Sequence, residues 1–365
     1  MTILVATSRK PTGDPSTLFS GERSPLLSLA NIEVSIPPES ARQAGTVQWP
    51  KRLPPDPRRD FAVTGVQPKT VAQAKEWLHQ RDRGTGRVLV FVHGFNNIFA
   101  DSLFRFAQIV HDSGADVAPI LFTWPSRGSV FDYVYDKESA NFSRTALERV
   151  LQSLSQDPTV KDVTVLAHSM GTWVAVEALR QMAIREGTIP GKIQNVILAS
   201  PDLDVDVFAR QWTEMGDNRP NFTIFVSQND RALAMSSFIS GGITRVGSIN
   251  PAKEPFRSAL EDAGITVVDL TQLNTGDRLA HSKFAESPEI VQLIGQRLVT
   301  GQALTSTDIG LSESIGAVLL GTVNTVGQIA ATTVSTPISV LEPPRVKTKK
   351  AGLDEILGSE SEMRQ

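Results

Sequence analysis

Short apolar runs alternate with longer helical patterns from about residue 88 to residue 300, and no other feature of the chain constrains its fold as strongly. Most of the runs are continuously apolar, as expected for strands that are covered on both faces. We predict strands at residues 88–92, 120–123, 163–167, 196–199, 222–227 and 265–270, and helices at residues 100–112, 138–154, 172–185 and 288–299. This alternation predicts an α/β fold in which a mostly parallel central sheet carries helices on both faces.

The whole chain is predicted to divide into four segments. Residues 1–86 should form strands, at 32–36 and 61–66, and a helix that pack on the main sheet in a structural role. Residues 87–301 form the α/β core, residues 302–347 an uncharged helical extension, and residues 348–365 a flexible tail.

The C-terminal extension has an unusual composition. Residues 314–341 carry no charge and are followed by Arg345 and several lysines, a pattern that resembles a membrane segment with a basic flank. Because this stretch also contains Asn324, Gln328 and Pro337, we favour a helix that packs on protein and keep weak membrane association as the alternative.

Composition excludes several classes of partner and site. The formal net charge is −3, so no summed positive field would hold a nucleic acid. The chain has no cysteine, which excludes disulfides, thiolate zinc sites and cysteine nucleophiles. The apolar N-terminal run ends at Thr7 and is too short for a secretory signal, so we expect a soluble protein that is cytoplasmic or, if a leader had been removed, periplasmic. These features favour no particular oligomeric state.

The sharpest chemical signal is an apolar strand that runs directly into Ala167-His168-Ser169-Met170-Gly171 and then into a helix. A serine in such a tight turn is strained and needs small residues two positions before and after it, which Ala167 and Gly171 supply. The turn exposes the Ser169 hydroxyl and puts the N–H of Met170 at a helix N-terminus, where it can stabilise an oxyanion. We predict that Ser169 is a nucleophile; the alternative is a serine in an ordinary strand-to-helix turn.

A second strand ends at His93-Gly94-Phe95, just before another helix. Gly94 allows the chain to bend back over the strand end, so that the N–H of Phe95 can point at the same oxygen as that of Met170. We therefore predict that Phe95 and Met170 form an oxyanion hole. His93 is predicted to be a structural hydrogen-bonding residue, with a role as the base as the alternative.

A serine nucleophile needs a general base, and the chain contains five histidines. His79 and His111 lie in amphipathic helical patterns, and the side chain of His168 is expected to point to the face opposite Ser169. His281 alone follows the last predicted strand, where the order serine, acid, histidine places the base. We predict that His281 is the general base.

The acid that orients this base should follow a strand between Ser169 and His281. Asp230 ends the strand at 222–227 and is preferred, because the strand nearer to His281 usually carries the acid in this order. Asp202 also follows a strand end and remains the alternative. Asp204 and Asp206 lie in the same loop and are expected to be solvated or to cap a helix.

Together these residues resemble the α/β-hydrolase superfamily from residue 88 to about residue 299. The chain is similar to a bacterial group of uncharacterised α/β hydrolases, through the motifs Phe122-Thr123-Trp124-Pro125-Ser126, Tyr135-Asp136, Ala-His-Ser-Met-Gly and Ala-Thr-Ser-Arg at residues 6–9. This resemblance implies an eight-stranded, mostly parallel sheet and a serine-esterase mechanism. Ala167 departs from the glycine that many members have at this position.

About twenty residues separate Pro201 from Phe222, too few for a helical cap domain, so we expect an open cleft without a large cap. Phe95, Trp124, Met170 and Trp173 are its expected walls, with Trp124 and Trp173 as the predicted substrate-binding side chains; a place in the core is the alternative for each.

The resulting hypothesis is a serine hydrolase of the carboxylesterase type, which cleaves a small-molecule ester with a Ser169, His281 and Asp230 triad and needs no metal or organic cofactor. The alternatives are a thioesterase or acyltransferase, and a non-catalytic α/β-hydrolase scaffold that binds a partner or a membrane.

Overall fold

The computed structural model describes residues 1–81 and 84–295, together with the backbone of residues 318–320. This part of the chain forms one sheet with the strand order β10-β9-β8-β7-β6-β4-β5-β1-β2-β3. The strands are β1 Thr2–Pro11, β2 Phe19–Ser35, β3 Ala62–Lys69, β4 Arg87–Val92, β5 Ala118–Thr123, β6 Asp162–His168, β7 Ile193–Ala199, β8 Asn221–Val226, β9 Thr266–Asp269 and β10 Val318–Leu320.

Helices cover both faces of this sheet. They are α1 Val71–Arg81, α2 Phe99–Ser113, α3 Tyr133–Gln156, α4 Gly171–Glu186, α5 Val205–Glu214, α6 Arg231–Ile239, α7 Phe256–Ala263, α8 Lys283–Glu286 and α9 Pro288–Leu293. One apolar core lies between the sheet and α1, α3, α4, α5 and α7, and a second lies between the sheet and α2, α8 and α9. Alternate residues of each strand supply the two cores: Val88 and Val90 of β4 face the first, and Leu89 and Phe91 face the second.

Seven neighbouring strands, from β1 through β5, β4, β6, β7 and β8 to β9, run parallel. The predicted fold class is therefore confirmed, and the six predicted strands are β4 to β9, with ends that differ by a few residues. Because these strands are parallel, their carboxyl ends lie along one edge of the sheet, which is where ligands bind in open α/β sheets.

The N-terminal segment extends the sheet sideways. β1 pairs with β5 in parallel and with β2 in an antiparallel hairpin, and β3 pairs with β2. We predicted strands at residues 32–36 and 61–66 but none at the N-terminus. The described residues thus contain ten strands instead of the eight that the resemblance implied.

The C-terminal predictions fall mostly outside the described residues. Helix α9 begins at Pro288, as predicted, and is described to Leu293. Within the expected helical extension, Val318–Leu320 is instead a strand that pairs antiparallel with β9. The rest of residues 302–347 and the predicted tail lie outside the described part. None of the described helices combines the length and the apolar character that crossing a membrane requires.

Candidate active site

Ser169 lies in the turn that joins β6 to α4. Its φ of 52° is in the left-handed region that favours glycine, so the backbone of this serine is strained. The Ser169 N–H donates to the carbonyl oxygen of Ala199 at 2.9 Å, and the Thr172 hydroxyl donates to the Ser169 carbonyl oxygen at 2.6 Å. The turn is therefore held from β7 on one side and from α4 on the other.

Strained residues are concentrated at this edge of the sheet. Of the five non-glycine residues with positive φ in the described part of the chain, four are Asn96, Ser169, Ser200 and Ala280. They follow β4, β6, β7 and β9, whose carboxyl ends lie at this edge. Left-handed conformations of non-glycine residues cost energy and cluster at functional sites, so this edge is the best candidate for such a site.

Two glycines allow the loop after β4 to lie directly on the turn at Ser169. A Cβ added to Gly94 would lie 2.8 Å from the Cβ of Ser169, and one added to Gly171 would overlap the carbonyl oxygen of His93. Both positions therefore require glycine because of close approach. The contact places the loop that carries Phe95 against the turn that carries Met170.

The N–H groups of Phe95 and Met170 donate to no acceptor within the described residues. The loop after β4 is nevertheless well held, because Asp136 Oδ2 accepts the Asn96 N–H at 3.3 Å and Ser126 Oγ accepts the Asn97 N–H at 3.0 Å. Two unused donors beside a serine, one of them at the start of α4, can bind an oxygen atom that carries negative charge.

His281 is hydrogen-bonded to Asp230. The imidazole Nδ1 lies 2.7 Å from Asp230 Oδ2, and both side chains are largely withdrawn from solvent. Asp230 caps the N-terminus of α6, where its Oδ1 accepts the Leu233 N–H at 3.0 Å. The backbone of His281 is held separately, since Asp277 accepts its N–H at 2.6 Å and the Ser200 hydroxyl donates to its carbonyl oxygen at 3.0 Å.

The environment of His281 changes its pKa in two opposing directions. Burial lowers the pKa of the imidazole, whereas the hydrogen bond and the charge of Asp230 raise it, and the net result is a pKa above its usual value. Ser169 Oγ makes no hydrogen bond within the described residues. Catalytic hydrogen bonds are commonly long or poorly aligned before substrate binds, so this does not exclude His281 as its base.

Asp202, the alternative acid, is engaged elsewhere. Its carboxylate accepts hydrogen bonds from the Tyr133 hydroxyl at 3.1 Å and from the Ser236 hydroxyl at 2.5 Å. It also forms an ion pair with Arg245, with 3.3 Å between Oδ1 and Nε. The aspartate that hydrogen-bonds His281 is therefore Asp230.

His93 and Trp124 are part of the core. The His93 Nδ1 donates to the Gly94 carbonyl oxygen at 2.8 Å, and its Nε2 accepts the Trp124 N–H at 3.1 Å. Burial and the charge of Arg9 hold the pKa of His93 well below its usual value. Trp124 is fully buried and stacks on His93 with 4.8 Å between ring centroids. The prediction that Trp124 lines the cleft therefore needs correction. Its indole N–H lies in the core and donates to the His93 carbonyl oxygen.

His168 packs against the candidate base. Its ring centroid is 4.7 Å from that of His281 and 4.9 Å from that of Phe284, and its Nε2 donates to the His281 carbonyl oxygen at 3.3 Å. Burial, followed by the charge of His281, lowers the pKa of His168 well below its usual value. We expected this side chain to point to the face opposite Ser169; in the structure it packs against His281 and supports the loop that carries it.

Arg9 of β1 is a supporting residue that sequence reasoning did not identify. Its buried guanidinium donates to Thr123 Oγ1 at 2.7 Å, to the Ser126 carbonyl oxygen at 2.8 Å and to the Asn97 carbonyl oxygen at 2.7 Å. It thereby joins the N-terminal strand to the loops after β4 and β5. The structural role predicted for the N-terminal segment thus includes holding the loop that carries Phe95.

A cavity of about 130 Å³ adjoins the turn at Ser169. Met170 and Trp173 belong to its lining, whereas Phe95 packs edge-on against Tyr133. The role of Trp173 in binding substrate stays a prediction. In the described part of the chain, no group of three or more histidine, aspartate or glutamate side chains is arranged to hold a metal ion.

The parallel sheet, its two helical layers and the sharp turn from β6 to α4 are the architecture of the α/β-hydrolase fold. The model of a family described as alpha/beta hydrolase of unknown function (DUF900) matches residues 70–297, and the chain belongs to this family.

Two solved structures are similar at low identity. A protein from Lactobacillus plantarum WCFS1 assigned as a cell surface hydrolase is 13% identical with a TM-score of 0.38, covering 63% of this chain and 98% of its own. An esterase from Pyrobaculum calidifontis is 12% identical with a TM-score of 0.35, covering 59% of this chain and 77% of its own. No curated protein matches the sequence.

Proposed function

We propose that this α/β hydrolase is a serine hydrolase that cleaves carboxylic esters, with Ser169 as nucleophile, His281 as general base and Asp230 as the acid that orients the base. The observation that carries the proposal is the 2.7 Å hydrogen bond between His281 and Asp230, at the edge of the sheet where the strained Ser169 lies. A buried carboxylate on Nδ1 leaves Nε2 as the nitrogen that accepts a proton.

The proposed reaction begins when Ser169 Oγ attacks the carbonyl carbon of an ester and transfers its proton to His281 Nε2. The carbonyl electrons move onto oxygen, and the resulting oxyanion accepts hydrogen bonds from the N–H groups of Phe95 and Met170. The bond to the leaving alcohol then breaks, and His281 returns the proton to the alcohol oxygen. An acyl group remains on Ser169.

Deacylation repeats these steps with water. His281 takes a proton from the water as its oxygen attacks the acyl carbon, and the same two N–H groups bind the second oxyanion. The bond to Ser169 Oγ breaks, and Oγ recovers the proton from His281. Throughout the cycle, the Asp230 carboxylate stabilises the positive charge that His281 carries transiently.

A fluorophosphonate probe tests the nucleophile directly, because it reacts covalently only with an activated serine. The wild-type protein should be labelled, and Ser169→Ala should not be, while its circular dichroism stays unchanged. Ser102→Ala is a control, since Ser102 is also a buried serine but lies in α2, where its hydroxyl donates to the Phe99 carbonyl oxygen. Labelling of Ser169→Ala, or loss of labelling in a folded Ser102→Ala alone, would reject the assignment.

The same assay separates the proposal from its alternatives. A non-catalytic scaffold would leave the wild-type protein unlabelled. A thioesterase or acyltransferase would be labelled at Ser169 but would show faster turnover with an acyl thioester, or with an added alcohol acceptor, than in hydrolysis of p-nitrophenyl acetate.

A further inference from the structure

The lining of the cavity beside Met170 includes polar side chains that the proposed mechanism does not use. Met170 and Trp173 belong to the turn and helix that follow Ser169, and Tyr133, Asp202 and Arg245 are further lining residues. Met170 directly follows Ser169 and carries a proposed oxyanion donor, so this space can take up the acyl group of an ester bound at Ser169.

Arg245 is buried in this lining and has unused donors. Its side chain and that of Asp202 are 4% and 3% exposed, and they form the ion pair with 3.3 Å between Nε and Oδ1. Its Nη2 donates to the Ser236 carbonyl oxygen at 3.3 Å and to the Ser240 hydroxyl. Its Nε is buried and makes no hydrogen bond within the described residues, and its Nη1 donates to none of them. A buried N–H without an acceptor costs free energy until an acceptor binds to it.

Neither carboxylate in the lining serves as that acceptor. Asp202 already accepts hydrogen bonds from Tyr133 and Ser236 in addition to its ion pair with Arg245. Asp204 caps α5, where its Oδ1 accepts two backbone N–H groups. The unused N–H groups of a rigid, planar guanidinium bind oxygen acceptors, and carboxylate oxygens with particular strength. The missing ligand of Arg245 should therefore be an oxygen atom supplied from the cavity.

We infer that Arg245 recognises an oxygen acceptor near the end of a short acyl group, so that the preferred substrates are esters of small oxo or carboxy acids. This inference rests on the proposed function, because it assigns the acyl site of that reaction. A volume of about 130 Å³ compares with about 30 Å³ for one water molecule, which gives room for roughly four to five non-hydrogen atoms. The parts of the 4-oxopentanoyl and succinyl groups that lie beyond the ester carbonyl have this size.

Binding to Ser169→Ala tests the inference without requiring turnover. Three methyl esters have acyl groups of matched size: methyl 4-oxopentanoate, methyl hydrogen succinate and methyl 4-methylpentanoate. Dissociation constants from NMR titration should be at least tenfold lower for one or both oxygen-bearing esters than for the all-carbon ester. Tight binding of methyl hydrogen succinate alone would show that the acceptor must be a carboxylate. Tight binding of both oxygen-bearing esters would show that any suitably placed oxygen serves as the acceptor. Equal affinity for all three would overturn the inference.

Two variants in this background assign the preference to a residue. Arg245→Met should reduce the difference in affinity between the oxygen-bearing and the all-carbon esters to less than twofold. Arg42→Met is the matched control, because Arg42 also forms a buried ion pair, with Asp112, and both side chains are 2% exposed; it should retain the preference. If Arg245→Met does not fold, Asp202→Asn combined with Arg245→Gln removes both charges and serves the same purpose. An unchanged preference in the folded variant would overturn the role of Arg245.

The outcomes for the acyl site and for the nucleophile can be told apart. Fluorophosphonate labelling of the wild-type protein without any ester preference in Ser169→Ala would reject the acyl site alone. A preference that depends on Arg245, without labelling of Ser169, would reject the proposed nucleophile and leave the binding site for oxygen-bearing esters in place.

Discussion

Nδ1 of His281 and Oδ2 of Asp230 lie 2.7 Å apart, although 51 positions separate the two residues along the chain. Asp230 follows β8 and His281 follows β9, and these two strands are parallel neighbours. Their contact thus arises from the common edge at which the strands end. Asp230 also caps α6, so the carboxylate is held from one side by the helix N-terminus and bonds the imidazole on the other.

This relationship predicts different outcomes for the two candidate acids. Asp230→Asn should lower kcat for p-nitrophenyl acetate by about 10³- to 10⁴-fold, because the amide no longer stabilises the imidazolium or fixes the tautomer. Asp202→Asn should keep kcat per folded molecule within about tenfold, since Asp202 bonds Tyr133, Ser236 and Arg245 instead. Steady-state kinetics measures kcat for both variants. A larger loss of kcat in Asp202→Asn than in Asp230→Asn would identify Asp202 as the acid.

The pKa of His281 predicts the pH dependence of the reaction. The base must be neutral, so kcat/KM should rise with pH and fall as the pH drops through the pKa of His281. Because Asp230 raises this pKa against the effect of burial, the midpoint should lie above 6.5, the usual value for histidine.

Asp230→Asn removes the hydrogen bond and the charge that raise this pKa most. The effect of burial remains, so the pKa of His281 should fall below that in the wild-type protein. The imidazole Hε1 resonance in NMR spectra, identified by its loss in His281→Gln, would report both values. Identical titration midpoints in the two proteins would contradict the coupling between His281 and Asp230.

Two glycines provide a test of close packing at the turn. Gly171→Ala should reduce the free energy of unfolding by about 1–3 kcal/mol and also lower kcat, because the added methyl group meets the backbone of His93 and must displace the loop that carries Phe95. Gly191→Ala is its control: a Cβ there meets no atom within 4 Å, so stability should stay the same or increase by about 0.4–1 kcal/mol. Urea denaturation measures both, and equal effects would show that the loop does not press on the turn.

Arg9 should matter for stability, although it lies in a segment without proposed catalytic residues. Arg9→Met leaves the acceptors on Thr123, Ser126 and Asn97 without their buried donor, and we expect a loss of about 3 kcal/mol or more in the free energy of unfolding. Lys10→Met changes the adjacent, exposed cation and should alter it by less than about 0.5 kcal/mol. A similar small effect of both substitutions would mean that β1 does not anchor the site.

The strands of the core were predictable because their signal is local. A continuously apolar run of β-branched residues is stable only when both faces of the strand are covered, and β4 to β9 all satisfy this condition. β1 was not predicted because Thr7, Ser8 and Arg9 interrupt its apolar pattern. These polar residues are buried only because other strands and loops accept their hydrogen bonds, as Thr123 does for Thr7 and Arg9.

The candidate site was predictable to the extent that it depends on local turn geometry and on chain order. Small residues around Ser169, a glycine after His93 and a histidine after the last core strand are all visible in the sequence. The direction of a side chain is not visible in the sequence. In the structure, Trp124 stacks on His93 inside the core, and His168 packs against His281. Each of these orientations depends on neighbours from other strands.

The sequence by itself determined that a parallel sheet forms and that a strained serine, an aspartate and a histidine follow its strands in this order, since periodicity and small residues act over a few neighbouring positions. Only the tertiary structure decided that His281 meets Asp230 while Asp202 meets Arg245. Contacts between distant residues depend on which strands lie side by side and on which way each side chain turns, and neither property is contained in a linear pattern.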